Sequence, residues 1–148
     1  FNREEHLEHE LRYQRANEFV DVVRGLWDCW DDGAIVADKA TGRFIDETKV
    51  RTLDHKGQFF QVKGPVNIAR SPQGHPVIIQ AGQSGRGRTF AARWGELVFT
   101  LAPSFELAKA YYKELKGQVA AGGRDPAKVA LAPLVTVVVG ETKGIADA

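Results

Sequence analysis

Between residues 16 and 30 the apolar side chains Ala16, Phe19, Val20, Val23, Leu26, Trp27 and Trp30 recur at spacings of three and four, while Arg15, Glu18, Asp21, Arg24 and Asp28 occupy positions between them. That period predicts an amphipathic helix over about 13–29, with Tyr13 near its start and Asp31-Asp32-Gly33 as its stop. The period then disappears. Residues 31–75 are turn-rich, with turns marked by Thr41-Gly42 and Lys56-Gly57, a short strand expected over 58–62, and Gly64-Pro65 closing it. Regularity returns as strand 76–80, helix 85–94, strand 96–100, helix 104–120 and strand 129–139, a βαβαβ order. Leu107, Tyr111, Leu115 and Val119 form one stripe of the second helix, with Ser104 as its N-cap and Gly122-Gly123 as its stop. The final strand is expected to centre on the β-branched run Val135–Val139, either starting after Pro133 or bulging there.

Consecutive βα units place the chain in the α/β class and fit either a doubly wound sheet or part of an eight-stranded barrel. Three parallel strands behind one helix leave two sheet edges unpaired. An incomplete barrel explains those edges, and it also accounts for the lack of methionine and the abrupt end at Ala148. The expectation is therefore that residues 1–148 belong to a single barrel domain of a longer protein. The 31–75 segment far exceeds the roughly two to six residues usual for such connections, so it reads as an excursion over one mouth of the fold, or as a surface insertion that only packs on the helices.

The strand-to-helix junction Pro76-Val77-Ile78-Ile79-Gln80-Ala81-Gly82-Gln83-Ser84-Gly85-Arg86-Gly87 carries the clearest chemistry. Glycines at 82, 85 and 87 permit a tight turn and a close approach, and Ser84 is suited to cap the helix that follows. Backbone N–H groups at the first helical turn, with the positive end of the helix dipole, suit a phosphate. An ordinary βα turn with a serine cap fits the same residues, since neither GxGxxG nor GxxxxGK[ST] is present.

Composition narrows the function classes. With 20 Lys+Arg against 19 Asp+Glu the formal charge is +1, so no global field favours nucleic acid or an anionic membrane. No apolar run approaches membrane length and no secretory pattern opens the chain, which leaves the cytoplasm as the default location. Cys29 is the only cysteine, which excludes an internal disulfide; inside Leu26-Trp27-Asp28-Cys29-Trp30 it reads as a packing residue. The four histidines show no HExxH spacing, and no metal site is assigned, although His6, His9 and Glu10 share one helical face.

Motifs spread along most of the chain resemble one family. They are Arg3-Glu4-Glu5-His6 through Arg12-Tyr13, Leu26-Trp27-Asp28-Cys29-Trp30, His55-Lys56-Gly57, Gly64-Pro65-Val66-Asn67, Arg70-Ser71-Pro72-Gln73-Gly74, Gln80-Ala81-Gly82-Gln83-Ser84 and Phe90-Ala91-Ala92-Arg93. Together they resemble the bacterial-luciferase-like flavin-dependent monooxygenases, in the branch of nitrilotriacetate monooxygenase component A, dibenzothiophene-sulfone monooxygenase and long-chain alkane monooxygenase. The resemblance implies a partial (β/α)8 TIM barrel covering about the middle third of a member, with the 13–29 helix as the fourth and the three strands as the fifth to seventh.

The resemblance also implies reduced FMN as cofactor, with its phosphate held by Tyr13 and by Gly82, Gln83, Ser84 and Gly85. Arg86 and Arg88 either assist that phosphate or point outward along the helix. The implied reaction is oxygenation of a small organic substrate by reduced FMN and O2, with a separate NAD(P)H-dependent flavin reductase and a homo-oligomeric state. No catalytic residue is assigned. Leu134 and Thr136 stand where alkanesulfonate oxygenases of the family carry arginine and histidine, which argues against a sulfonate. Gln83 and Cys29 replace smaller or hydroxyl-bearing residues of the branch. The alternatives are an F420-dependent oxidoreductase of the same superfamily and a non-catalytic barrel fragment.

Overall fold

A computed structural model describes residues 8–146; the Arg3–His6 part of the resemblance, and His6 beside His9, lie outside the described residues. Residues up to Val77 and residues from Ile78 onward form two compact units.

The first unit is built on helix α1 (His9–Trp27), which begins one turn earlier than the apolar period predicts. Val22 is its buried residue, while Phe19 of the expected apolar face remains 54% exposed. Two antiparallel hairpins follow. Strands β1 (Ile35–Asp38) and β2 (Arg43–Ile45) pair around the Thr41-Gly42 turn, where Gly42 adopts φ +71°. Strands β3 (His55–Lys56) and β4 (Gln61–Val62) pair around Gly57, whose N–H donates to the Phe60 carbonyl at 2.9 Å. The strand expected over 58–62 thus shortens to its last two residues, because 57–60 form the turn. Cys29 is buried and its thiol donates to the Gly25 carbonyl at 3.4 Å, which is the packing role expected of it. Burial pushes that thiol above its ordinary pKa.

The second unit is α/β, a parallel sheet in the order β5 (Ile79–Gln80), β6 (Leu97–Thr100), β7 (Ala130–Pro133). Helix α2 (Gly85–Trp94) links the first pair and α3 (Phe105–Ala121) the second, and a short helix α4 (Lys143–Ala146) follows. This is a partial, open β/α arrangement of the barrel type, one of the two architectures that the element order allows. Its core joins Ala91 and Ala92 of α2, Val98 of β6, Leu115 and Val119 of α3 and Val129, with Tyr111 and Leu131 packed against them. Fully burying a side chain such as Val98 or Leu115 contributes about 1.5–3 kcal/mol. Ser104 caps α3 by accepting the Leu107 N–H at 3.3 Å, and Gly122 is its C-cap.

Two strands are shorter than the pattern predicts. Pro76 has no N–H, and the Ile78 N–H donates to the Glu96 carboxylate at 2.9 Å instead of to a strand. At the other edge, ladder pairing ends at Thr100↔Pro133, followed by the Leu134 N–H to the Thr100 carbonyl at 2.9 Å. Val135–Val139 are therefore not strand: their β-branched side chains suit a sheet, but β6 has already ended, and Val135 and Val139 are 71% and 88% exposed.

Candidate functional site

The turn between β5 and α2 holds the chemistry the sequence singles out. Ser84 has extended backbone, and its Oγ accepts the Gly87 N–H at 3.1 Å, so it is the N-cap expected from its position. Gly87 is buried, and a Cβ there would meet the Gly82 backbone at 2.9–3.0 Å. Glycine is required at this point because the helix start lies directly on the turn. Gly85 has no such neighbour within 4 Å, and Gln83, Ser84, Gly85 and Arg86 are all exposed. Among the described residues the Gly85 N–H makes no hydrogen bond, leaving a donor at the positive end of α2.

Gln83 holds the turn in place. Its Nε2 donates to Thr100 Oγ1 at 3.2 Å and to the Leu101 carbonyl at 3.1 Å, tying the turn to the end of β6. The Gly82 N–H donates to the Gln80 side-chain oxygen, which tightens the turn from within. Arg88 secures the other side: its Nε donates to the Gln83 carbonyl at 3.0 Å and its Nη1 to Glu114 at 2.5 Å. Arg88 is therefore a brace between turn and α3, and its charge is matched by Glu114. The Gln83–Thr100 link joins residues 17 apart, and no local motif announces it.

Tyr13 lies in the second turn of α1. Its ring packs on His9 with centroids 4.9 Å apart, in a shallow recess of about 350 Å3 lined by His9, Arg12, Tyr13 and Ala16. Arg12 and Ala16 also line a neighbouring recess of about 330 Å3 with Arg15, Phe19 and Phe60. The two recesses share Arg12 and Ala16, and the Arg15 guanidinium in the second lies 5.2 Å over the Phe60 ring.

Two carboxylates order the remainder of the first unit, and spacing along the sequence does not reveal either role. Glu18 accepts the Phe60 N–H at 2.8 Å, the Phe59 N–H at 2.9 Å and His55 Nε2 at 3.0 Å. Burial pushes its carboxyl upward, but these hydrogen bonds outweigh that and hold it below its ordinary value. Asp28 Oδ1 receives both Arg70 Nη1 and His75 Nε2, the latter at 2.8 Å. Here too burial acts upward and the Arg70 and His75 bonds prevail, lowering the pKa. Beside this cluster a cavity of about 490 Å3 is walled by Val23, Leu26, Trp27 and Ile68, with Arg70 and Gln73 at its polar edge. Among the described residues no group of three or more His, Cys, Asp or Glu side chains is arranged to hold a metal, and no helix is long and apolar enough to cross a membrane.

The sequence profile of the family described as luciferase-like monooxygenase matches residues 2–148. The chain is similar to N-acetyl-S-(2-succino)cysteine monooxygenase of Bacillus subtilis (strain 168), with 49% identity over 100% of this chain and 34% of the relative. It is 45% identical to nitrilotriacetate monooxygenase component A of Aminobacter aminovorans, over 100% of this chain and 33% of that protein. The crystal structure of long-chain alkane monooxygenase superposes with a TM-score of 0.91 at 35% identity, covering 97% of this chain and 33% of that one. The chain thus spans about a third of the length of the relatives it matches.

Proposed function

Because the chain belongs to the luciferase-like monooxygenase family, we propose that it supplies the flavin-phosphate region of an FMN-dependent monooxygenase acting with reduced FMN and O2 on a small organic substrate. The family match over residues 2–148 carries this reading. The geometry of the turn supports it. The Ser84 oxygen accepts from Gly87 while its own O–H remains able to donate, and the exposed Gly85 N–H lies at the positive end of α2. Gln83 and Gly82 shape the turn, through the Thr100 and Leu101 bonds and the close contact with Gly87. Tyr13 offers a phenol donor next to Arg12 and His9.

When bound, reduced flavin supplies the oxygen-activating chemistry; the chain's own residues bind and orient it. The relative from Aminobacter aminovorans is named as one component of its system, which supports delivery of reduced flavin by a separate NAD(P)H-dependent reductase. The named relatives act on N-acetyl-S-(2-succino)cysteine, nitrilotriacetate and long-chain alkanes. That breadth keeps the substrate class at small organic molecules.

Anaerobic titration of the chain with reduced FMN, and separately with reduced riboflavin, tests the reading. FMN is expected to saturate the protein and riboflavin to bind roughly tenfold or more weakly, since it lacks the charged hydrogen-bond acceptor. Equal affinities, or no FMN binding, would overturn the phosphate assignment. Reduction by F420H2 alone would favour the F420-dependent alternative.

A further inference from the structure

The Glu18 carboxylate does more than decorate α1. It sits in the loop of the β3–β4 hairpin and accepts the N–H groups of two successive residues, Phe59 and Phe60, as well as His55 Nε2. The side chains of Glu18 and His55 are only 14% and 23% exposed, so solvent screens this contact weakly. Gly57 belongs to the same arrangement: a Cβ on it would run into the Glu18 carboxylate and the His55 ring. The loop is thus shaped around the carboxylate.

Holding the loop there places Phe60. Its ring lies 6.1 Å from that of Phe19, and the Arg15 guanidinium sits 5.2 Å above it. Phe60, Phe19 and Arg15 line the recess that meets the Tyr13 recess at Arg12 and Ala16. We propose that Glu18 is a positioning residue for the Tyr13 face of α1: by pinning the hairpin it holds Phe60 as a fixed wall and keeps Arg15 on that ring, away from the Tyr13 recess. The proposal rests on the reading that Tyr13 faces the FMN phosphate.

The test uses the 148-residue chain with Glu18→Gln and, independently, Gly57→Ala, which leaves the carboxylate intact but displaces the loop. Amide exchange at Phe59 and Phe60 is expected to accelerate roughly tenfold or more in both variants, because a hydrogen bond to a charged acceptor is lost. The ratio of FMN to riboflavin affinity is expected to change several-fold in both, and neither change should add to that of Tyr13→Phe. A purely structural loosening would weaken both flavins equally and leave the ratio intact. Unchanged amide exchange, or an unchanged ratio while Tyr13→Phe alters it, overturns the proposal and spares the FMN reading. A ratio insensitive to Tyr13→Phe itself removes Tyr13 from the phosphate, and the proposal with it.

Discussion

A Cβ on Gly87 would lie 2.9 Å from the carbonyl carbon of Gly82 and 3.0 Å from its Cα and oxygen. Helix α2 therefore starts in backbone contact with the turn that precedes it, and the two glycines fix the distance between turn and helix. Gly87→Ala is expected to destabilise the chain by about 1–3 kcal/mol, the usual cost of forcing an extra methyl into a packed site. Gly85→Ala, where nothing lies within 4 Å, should be neutral or stabilising by up to about 0.5–1 kcal/mol. Urea denaturation of the two variants measures the contrast, and equal effects would disprove it.

Ser84 has two separable roles. Loss of its cap to Gly87 in Ser84→Ala is expected to cost about 1 kcal/mol of stability. If its hydroxyl also donates to the FMN phosphate, affinity should fall further, by roughly tenfold, while riboflavin affinity stays near that of the unsubstituted chain. Thermal denaturation reads the first role and paired flavin titrations the second. A stability loss with unchanged FMN affinity would leave Ser84 as a cap only.

Helix α2 was legible because its signals are local: Ser84 at the cap and glycines at 82, 85 and 87 around the turn that opens it. The stripe of α3 was equally plain, since Leu115 and Val119 are buried where the i+4 spacing puts them, although Leu107 at its open end is exposed. Val135–Val139 misled because β-propensity reports how side chains fit a sheet, whereas pairing needs a neighbouring strand, and β6 stops at Thr100. The bonds from Gln83 to Thr100 and from Glu18 to Phe59 span 17 and 41 residues. Such contacts arise from tertiary packing and have no local spacing to betray them. For the same reason Arg124 gave no sign that it caps α2, donating to the Ala92 and Gly95 carbonyls at 2.7 and 2.9 Å.

Tyr111 offers a stabilising substitution. Its hydroxyl is buried and, among the described residues, has no hydrogen-bond partner, while its ring packs against the core of the second unit. Burial pushes its pKa above the ordinary tyrosine value, as expected for a phenol poorly placed to ionise. Tyr111→Phe keeps the ring and removes the orphaned group, so a gain of about 1 kcal/mol is expected. The Arg88 guanidinium, 5.8 Å from the ring centroid, still has a ring face to sit on. A lower melting temperature would show that the hydroxyl has a partner in solution.

Acid should loosen the first unit through Glu18 and Asp28. Both carboxyls lie below their ordinary values of 4.5 and 3.8 in the folded chain. In that range the unfolded chain binds more protons than the folded one, so stability rises with pH. The contribution is complete above the ordinary values and is lost as pH falls through the depressed folded ones. Asp28 is nearly half exposed, so solvent screening reduces its share. Urea midpoints measured from pH 6 downward should therefore fall on the acid side, and Glu18→Gln should flatten that limb while lowering the plateau at neutral pH. Asp28→Asn should do the same more weakly, and high salt should shrink its effect more than that of Glu18, whose partners are largely shielded. Parallel acid limbs in Glu18→Gln and the unsubstituted chain would mean that the carboxylate holds the hairpin no more firmly than a neutral amide.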